Sequence, residues 1–105
     1  MITLKIGTSE RRDGDINARW IQEQVNARRK KDEKICVFFK VNCGDVNINL
    51  TSRDCAKSYG GGVGRPPNVK EEFILDEWRK KGFPLNDLNP GMVISFWEFL
   101  KKICD

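Results

Sequence analysis

Residues 2–6, ITLKI, alternate Ile2, Leu4 and Ile6 against Thr3 and Lys5. That period of two is the mark of a half-buried strand. The charged, turn-rich TSERRDGD that follows reads as a loop. The period then changes. Ile16, Trp20, Ile21 and Val25 share one helical stripe within residues 16–30. Asp15 is placed to accept first-turn N–H groups, and the closing ARRKK sets cations at the negative end of the helix dipole.

Residues 35–51 return to a period of two. Ile35, Val37, Phe39 and Val41 share one face, and Cys36, Phe38, Lys40 and Asn42 share the other. After the turn residues CGD, Val46, Ile48 and Leu50 alternate with Asn47, Asn49 and Thr51. Two alternating runs around a short glycine-containing turn predict a hairpin. A glycine-rich loop covers 56–67, and a helix is predicted over 69–81. Asn68 and Glu71 have the spacing of a capping box. Val69, Phe73, Ile74 and Trp78 form its expected inward stripe, with Leu75 beside it, and Gly82 ends it. A last helix over 90–103 opens on Asn89-Pro90 and carries Val93, Phe96, Trp97, Leu100 and Ile103.

The order β-α-β-β-α-α predicts an α+β fold in one domain, 1–105. It is a two-layer sandwich, with a three-stranded, mainly antiparallel sheet and helices packed on one face. The other face is left partly open. Trp20, Trp78 and Trp97 all fall on helical stripes and read as core.

Composition narrows the function classes. The 105 residues are 39% hydrophobic and 32% charged, in keeping with a folded soluble domain. No apolar run approaches the ~18 residues needed to span a bilayer, so no membrane role is expected. The first residues lack the apolar core of an export signal, which leads to an expected cytoplasmic location with reduced thiols. Cysteines stand at 36, 43, 55 and 104 without a C-x-x-C pair. Cys36 and Cys104 read as small core residues, and no metal or cofactor is expected. The chain has no histidine. The commonest general base is therefore missing, and the acids are scattered, so an enzyme is not expected.

Two places carry candidate chemistry. In the loop, CAKSYGGGVGRPPNVKEE has neither the spacing nor the Lys-Ser/Thr of a phosphate-binding P-loop. Nor is it a G-x-G-x-x-G fingerprint. Lys57, Ser58, Tyr59, Gly60, Gly61, Gly62, Gly64 and Arg65 nevertheless supply flexible N–H groups, hydroxyls and cations for an anion. Pro66 and Pro67 remove donors there, and Glu71 and Glu72 add negative charge, which favours a simple connection. The second place is the open sheet face. There Phe38 lies with Lys5 and Lys40, among Thr3, Asn47, Asn49 and Thr51. An aromatic among cations and amides suits a single nucleic-acid strand, and the net charge of +4 permits an anionic partner. The basic runs at helix ends are explained by dipole and solvation alone.

The leading expectation is a small non-catalytic binding or adaptor module acting through protein–protein contact. Self-association through a strand edge is open to it. The alternative is a nucleic-acid-binding domain using the sheet face and the glycine-rich loop. The third reading is nucleotide or other phosphate binding at residues 57–70.

Overall fold

The computed structural model describes residues 1–31, 34–52, 66–84 and 87–104. The chain forms β1 (Ile2–Ile6), β2 (Ser9–Arg12), a 3-10 turn at Asp13–Asp15, α1 (Ala18–Arg29), β3 (Val37–Cys43), β4 (Val46–Thr51), α2 (Val69–Lys81) and α3 (Pro90–Cys104). The strands make one antiparallel sheet in the order β2-β1-β3-β4. The fold is α+β, with three helices against that sheet.

The sheet has four strands rather than three. The extra strand lies in TSERRDGD. Ser9-Glu10-Arg11-Arg12 contains no apolar residue, so periodicity is silent there. Turn geometry places it instead. Gly7 takes φ +61°, a left-handed conformation that glycine adopts without Cβ strain. The chain then returns with Ile6 opposite Ser9 and Leu4 opposite Arg11. Arg11 lies over the Trp20 ring, 5.1 Å from its centroid. Gly44 makes the second such turn at φ +56°, joining β3 to β4.

The first helix starts later than its stripe predicts. Asp13–Asp15 are spent in the 3-10 turn, and Asn17 is the cap, its side chain accepting the Trp20 N–H at 2.8 Å. Asp13 turns back instead and accepts the Ile2 N–H at 2.7 Å.

The alternating strands turn Ile2, Leu4, Ile6, Val37, Phe39, Val41, Val46, Ile48 and Leu50 into the core. Phe39 sits at its centre. Its ring meets Trp78 edge-on at 5.9 Å and Phe96 at 5.5 Å, while Phe83 stacks on Trp78 at 4.1 Å. Each such side chain contributes roughly 1.5–3 kcal/mol through burial.

The inward face of α2 is rotated from the expected stripe. Glu71, Ile74, Leu75 and Trp78 are buried, whereas Val69 and Phe73 are 87% and 54% exposed. The cause is Glu71, which is needed inside. One carboxylate oxygen accepts the Asn68 N–H at 2.8 Å, closing the capping box, and the other accepts the Asn47 N–H at 2.7 Å. At the far end of α2, Trp78 Nε1 donates to the Thr51 carbonyl at 3.2 Å. The helix thus covers two outward backbone groups of β4.

The cysteines among the described residues are not reduced. Cys43, at the end of β3, is joined to Cys104, in the last turn of α3, by a disulfide with a Cα–Cα distance of 5.6 Å. Cys36 is also disulfide-bonded. The two cysteines that read as inert core residues, Cys36 and Cys104, are both cross-linked. Their spacing contains no C-x-x-C pair, and only the fold shows that the ends carrying Cys43 and Cys104 meet.

Candidate binding groove on the open sheet face

The helices all pack on one side of the sheet, so the even positions of β3 and the odd positions of β1 and β4 face away from them. Antiparallel register sets these side chains in two rows across the strands. One row runs Glu10, Lys5, Phe38, Thr51 and the other runs Arg12, Thr3, Lys40, Asn49. Directly opposed side chains in such a sheet stand about 5 Å apart, and diagonal neighbours roughly 7–8 Å apart. Lys5 and Lys40 are diagonal neighbours.

These residues line a shallow groove of about 790 Å³ whose walls also include Met1, Cys36 and Asn42. Lys5, Lys40 and Phe38, the candidate residues of the strands, are therefore brought together. Phe38 is half-buried and both lysines are exposed. The remaining candidates, Lys57, Ser58, Tyr59, Gly60, Gly61, Gly62, Gly64 and Arg65, lie outside the described residues.

Some cations of the helices are paired with acids, while Lys81 and Lys102 meet none among the described residues. Arg19, Arg29, Lys70, Arg79 and Lys80 each meet a carboxylate within 3.5 Å. Lys5, Lys40 and Arg12 meet none among the described residues, although Glu10 lies opposite Lys5 in the register. Sequence reading missed Arg12 and Glu10 because their strand carries no apolar alternation. The detectable signal was Gly7-Thr8 between two extended runs, a two-residue turn in which glycine supplies the positive φ.

The helix start beyond the glycine-rich loop is already occupied. Asn68 accepts the Glu71 N–H at 2.9 Å and donates to the Asp45 carbonyl at 2.8 Å. Lys70 pairs with the Asp45 carboxylate at 3.3 Å. Protein groups thus use the Glu71 N–H and the Lys70 ammonium, both of which an anion at residues 66–70 would need.

A different surface is apolar. On α2, Phe73 follows exposed Val69 by one turn. Its ring lies 5.7 Å from Phe99 of α3, and Ile103 follows Phe99 by one turn. Phe99 and Ile103 are half-buried.

Among the described residues no group of three or more acids, cysteines or histidines is placed to hold a metal ion. No described helix is long and apolar enough to cross a membrane. No family model, curated protein or solved structure matches the chain.

Proposed function

We infer that this protein is a small non-catalytic binding module that works by contact with another protein through the α2–α3 surface. The observation that carries this reading is the Phe73–Phe99 pair, with Phe73 54% exposed and Val69 87% exposed one turn away. Two aromatic rings held together at a helix–helix seam form an ordered apolar anchor. Anchors of this kind account for most of the affinity at protein interfaces. Isolated exposed apolar residues are ordinary, but a contiguous cluster marks a contact site.

The β4 edge is a weaker route to a partner. Glu71 and Trp78 already occupy outward backbone groups of Asn47 and Thr51. On the opposite edge, β2 is only four residues long and carries Glu10, Arg11 and Arg12, features that oppose strand addition. The working setting is one that keeps thiols oxidised, since Cys43 and Cys104 are bonded. The cytoplasmic expectation rested on the first residues lacking an export signal and carried reduced thiols with it, which the Cys43–Cys104 bond opposes.

The test places a photo-cross-linking residue at Phe73, with a second protein carrying it at exposed Lys31 as control. The expected result is one protein cross-linked from position 73 and not from 31, whose purified form binds with at least tenfold loss for Phe73→Lys. A copy of this chain captured in the same way identifies self-association. If no partner forms, or binding is indifferent to Phe73→Lys, the reading fails.

A further inference from the structure

We propose that the open face of the sheet is a second, independent site that binds a single nucleic-acid strand. Phosphates would meet Lys5, Lys40 and Arg12, and a base would stack on Phe38. The argument starts from charge. The groove gathers three cations and one carboxylate, Glu10, and none of the three cations has a carboxylate partner among the described residues. Lys5 and Lys40 are diagonal neighbours across β1 and β3, at roughly 7–8 Å. Two unneutralised ammonium groups at that spacing repel one another, and an anion laid between them relieves the repulsion. Five cations of the helices meet a carboxylate, whereas in the groove no cation does among the described residues.

The chemistry between the cations fits a strand rather than a small anion. The groove of about 790 Å³ is shallow and crosses four strands. At ~4.8 Å between strands, that is about 14 Å from the first strand to the last, enough for a few nucleotides. Phe38 stands in the middle, opposite Lys5 and half-buried, so its ring is held while part of it stays accessible. Base–aromatic stacking with cations alongside is the usual means of sequence-tolerant single-strand binding. Thr3, Asn42, Asn49 and Thr51 add donors and acceptors that can reach base edges or sugars. The main rival in an oxidising setting is an acidic polysaccharide, which would use the same cations without needing Phe38.

The site uses no residue of the Phe73 surface, so each proposal can fail alone. The experiment measures fluorescence anisotropy of a labelled short oligothymidine with the full, oxidised chain. With three phosphates neutralised, affinity should fall roughly twentyfold between about 50 and about 200 mM salt, a slope near −2 on logarithmic axes. Lys5→Ala with Lys40→Ala should bring that slope to about −0.7. Phe38→Leu, which keeps an apolar side chain, should weaken binding about fivefold or more with the slope retained. Lys80→Ala, on the helical side, should change nothing. No saturable binding at about 50 mM salt overturns the proposal. So does binding that ignores the groove lysines. A sulfated polysaccharide that binds more tightly than the oligonucleotide and is untouched by Phe38→Leu assigns the groove to polysaccharide instead.

Discussion

The Glu71 carboxylate accepts the Asn47 N–H at 2.7 Å across 24 residues of sequence, and the Glu71 side chain is fully buried. One acidic residue therefore caps its own helix, through Asn68, and closes a backbone group of the edge strand. A charged acceptor holding two N–H donors is worth more than a neutral one.

Glu71→Ala leaves the N–H groups of Asn47 and Asn68 without that acceptor, and we expect a loss of about 2–4 kcal/mol. Glu71→Gln keeps one acceptor oxygen and should cost less. Urea unfolding gives both values, and amide exchange at Asn47 should accelerate in either variant. A loss below about 1 kcal/mol for the alanine variant would show that the contact contributes little.

The Cys43–Cys104 bond closes a separation of 61 residues. Loop-entropy arguments give about 4 kcal/mol for a loop of that size. We expect Cys43→Ser with Cys104→Ser to lower the melting temperature by more than ten degrees at equal pH and salt. Mass spectrometry of the alkylated, non-reduced protein should show neither thiol modified. Alkylation of both in the folded protein would contradict the cross-link.

Gly7 has φ +61°, and a Cβ built there would lie 2.2 Å from Arg28 Nε. Arg28 cannot easily move aside, because its guanidinium donates to the Gln24 carbonyl and side chain and to Ser9 Oγ. Gly7→Ala should cost about 1–2 kcal/mol from the left-handed backbone alone, and more through Arg28. Gly14, with open space around its Cβ position, should accept alanine within about 0.5 kcal/mol. Equal melting temperatures for the two variants would refute this contrast.

Trp78 joins two roles. Its indole N–H reaches the Thr51 carbonyl at 3.2 Å, and its ring stacks on Phe83 at 4.1 Å. Trp78→Phe removes the donor and leaves a void in the aromatic cluster, for an expected loss of about 2–3 kcal/mol. Phe73→Ser, on the outer side of the same helix, should cost less, about 1 kcal/mol for its ring contact with Phe99. Paired thermal melts decide whether α2 turns the face described here.

The α+β class, the hairpin around Gly44, the Asn68–Glu71 capping box and the glycine that ends α2 were legible in the sequence. Each depends on residues close together in the chain, where period and capping chemistry act directly. The grouping of Phe38, Lys40 and Lys5 followed from alternation once β1 and β3 were strands. Four things needed the tertiary structure. β2 forms because a turn and a neighbouring strand hold a segment with no apolar pattern of its own. The inward face of α2 is set by Glu71, whose partner Asn47 is remote in sequence, and this turns Phe73 outward. Arg12 joins Lys5 and Lys40 only through the register of β2. Cys43 and Cys104 meet because α3 returns to the end of β3 that carries the hairpin turn. In each case the deciding contact joins groups distant along the chain, and the local pattern carries no record of that contact.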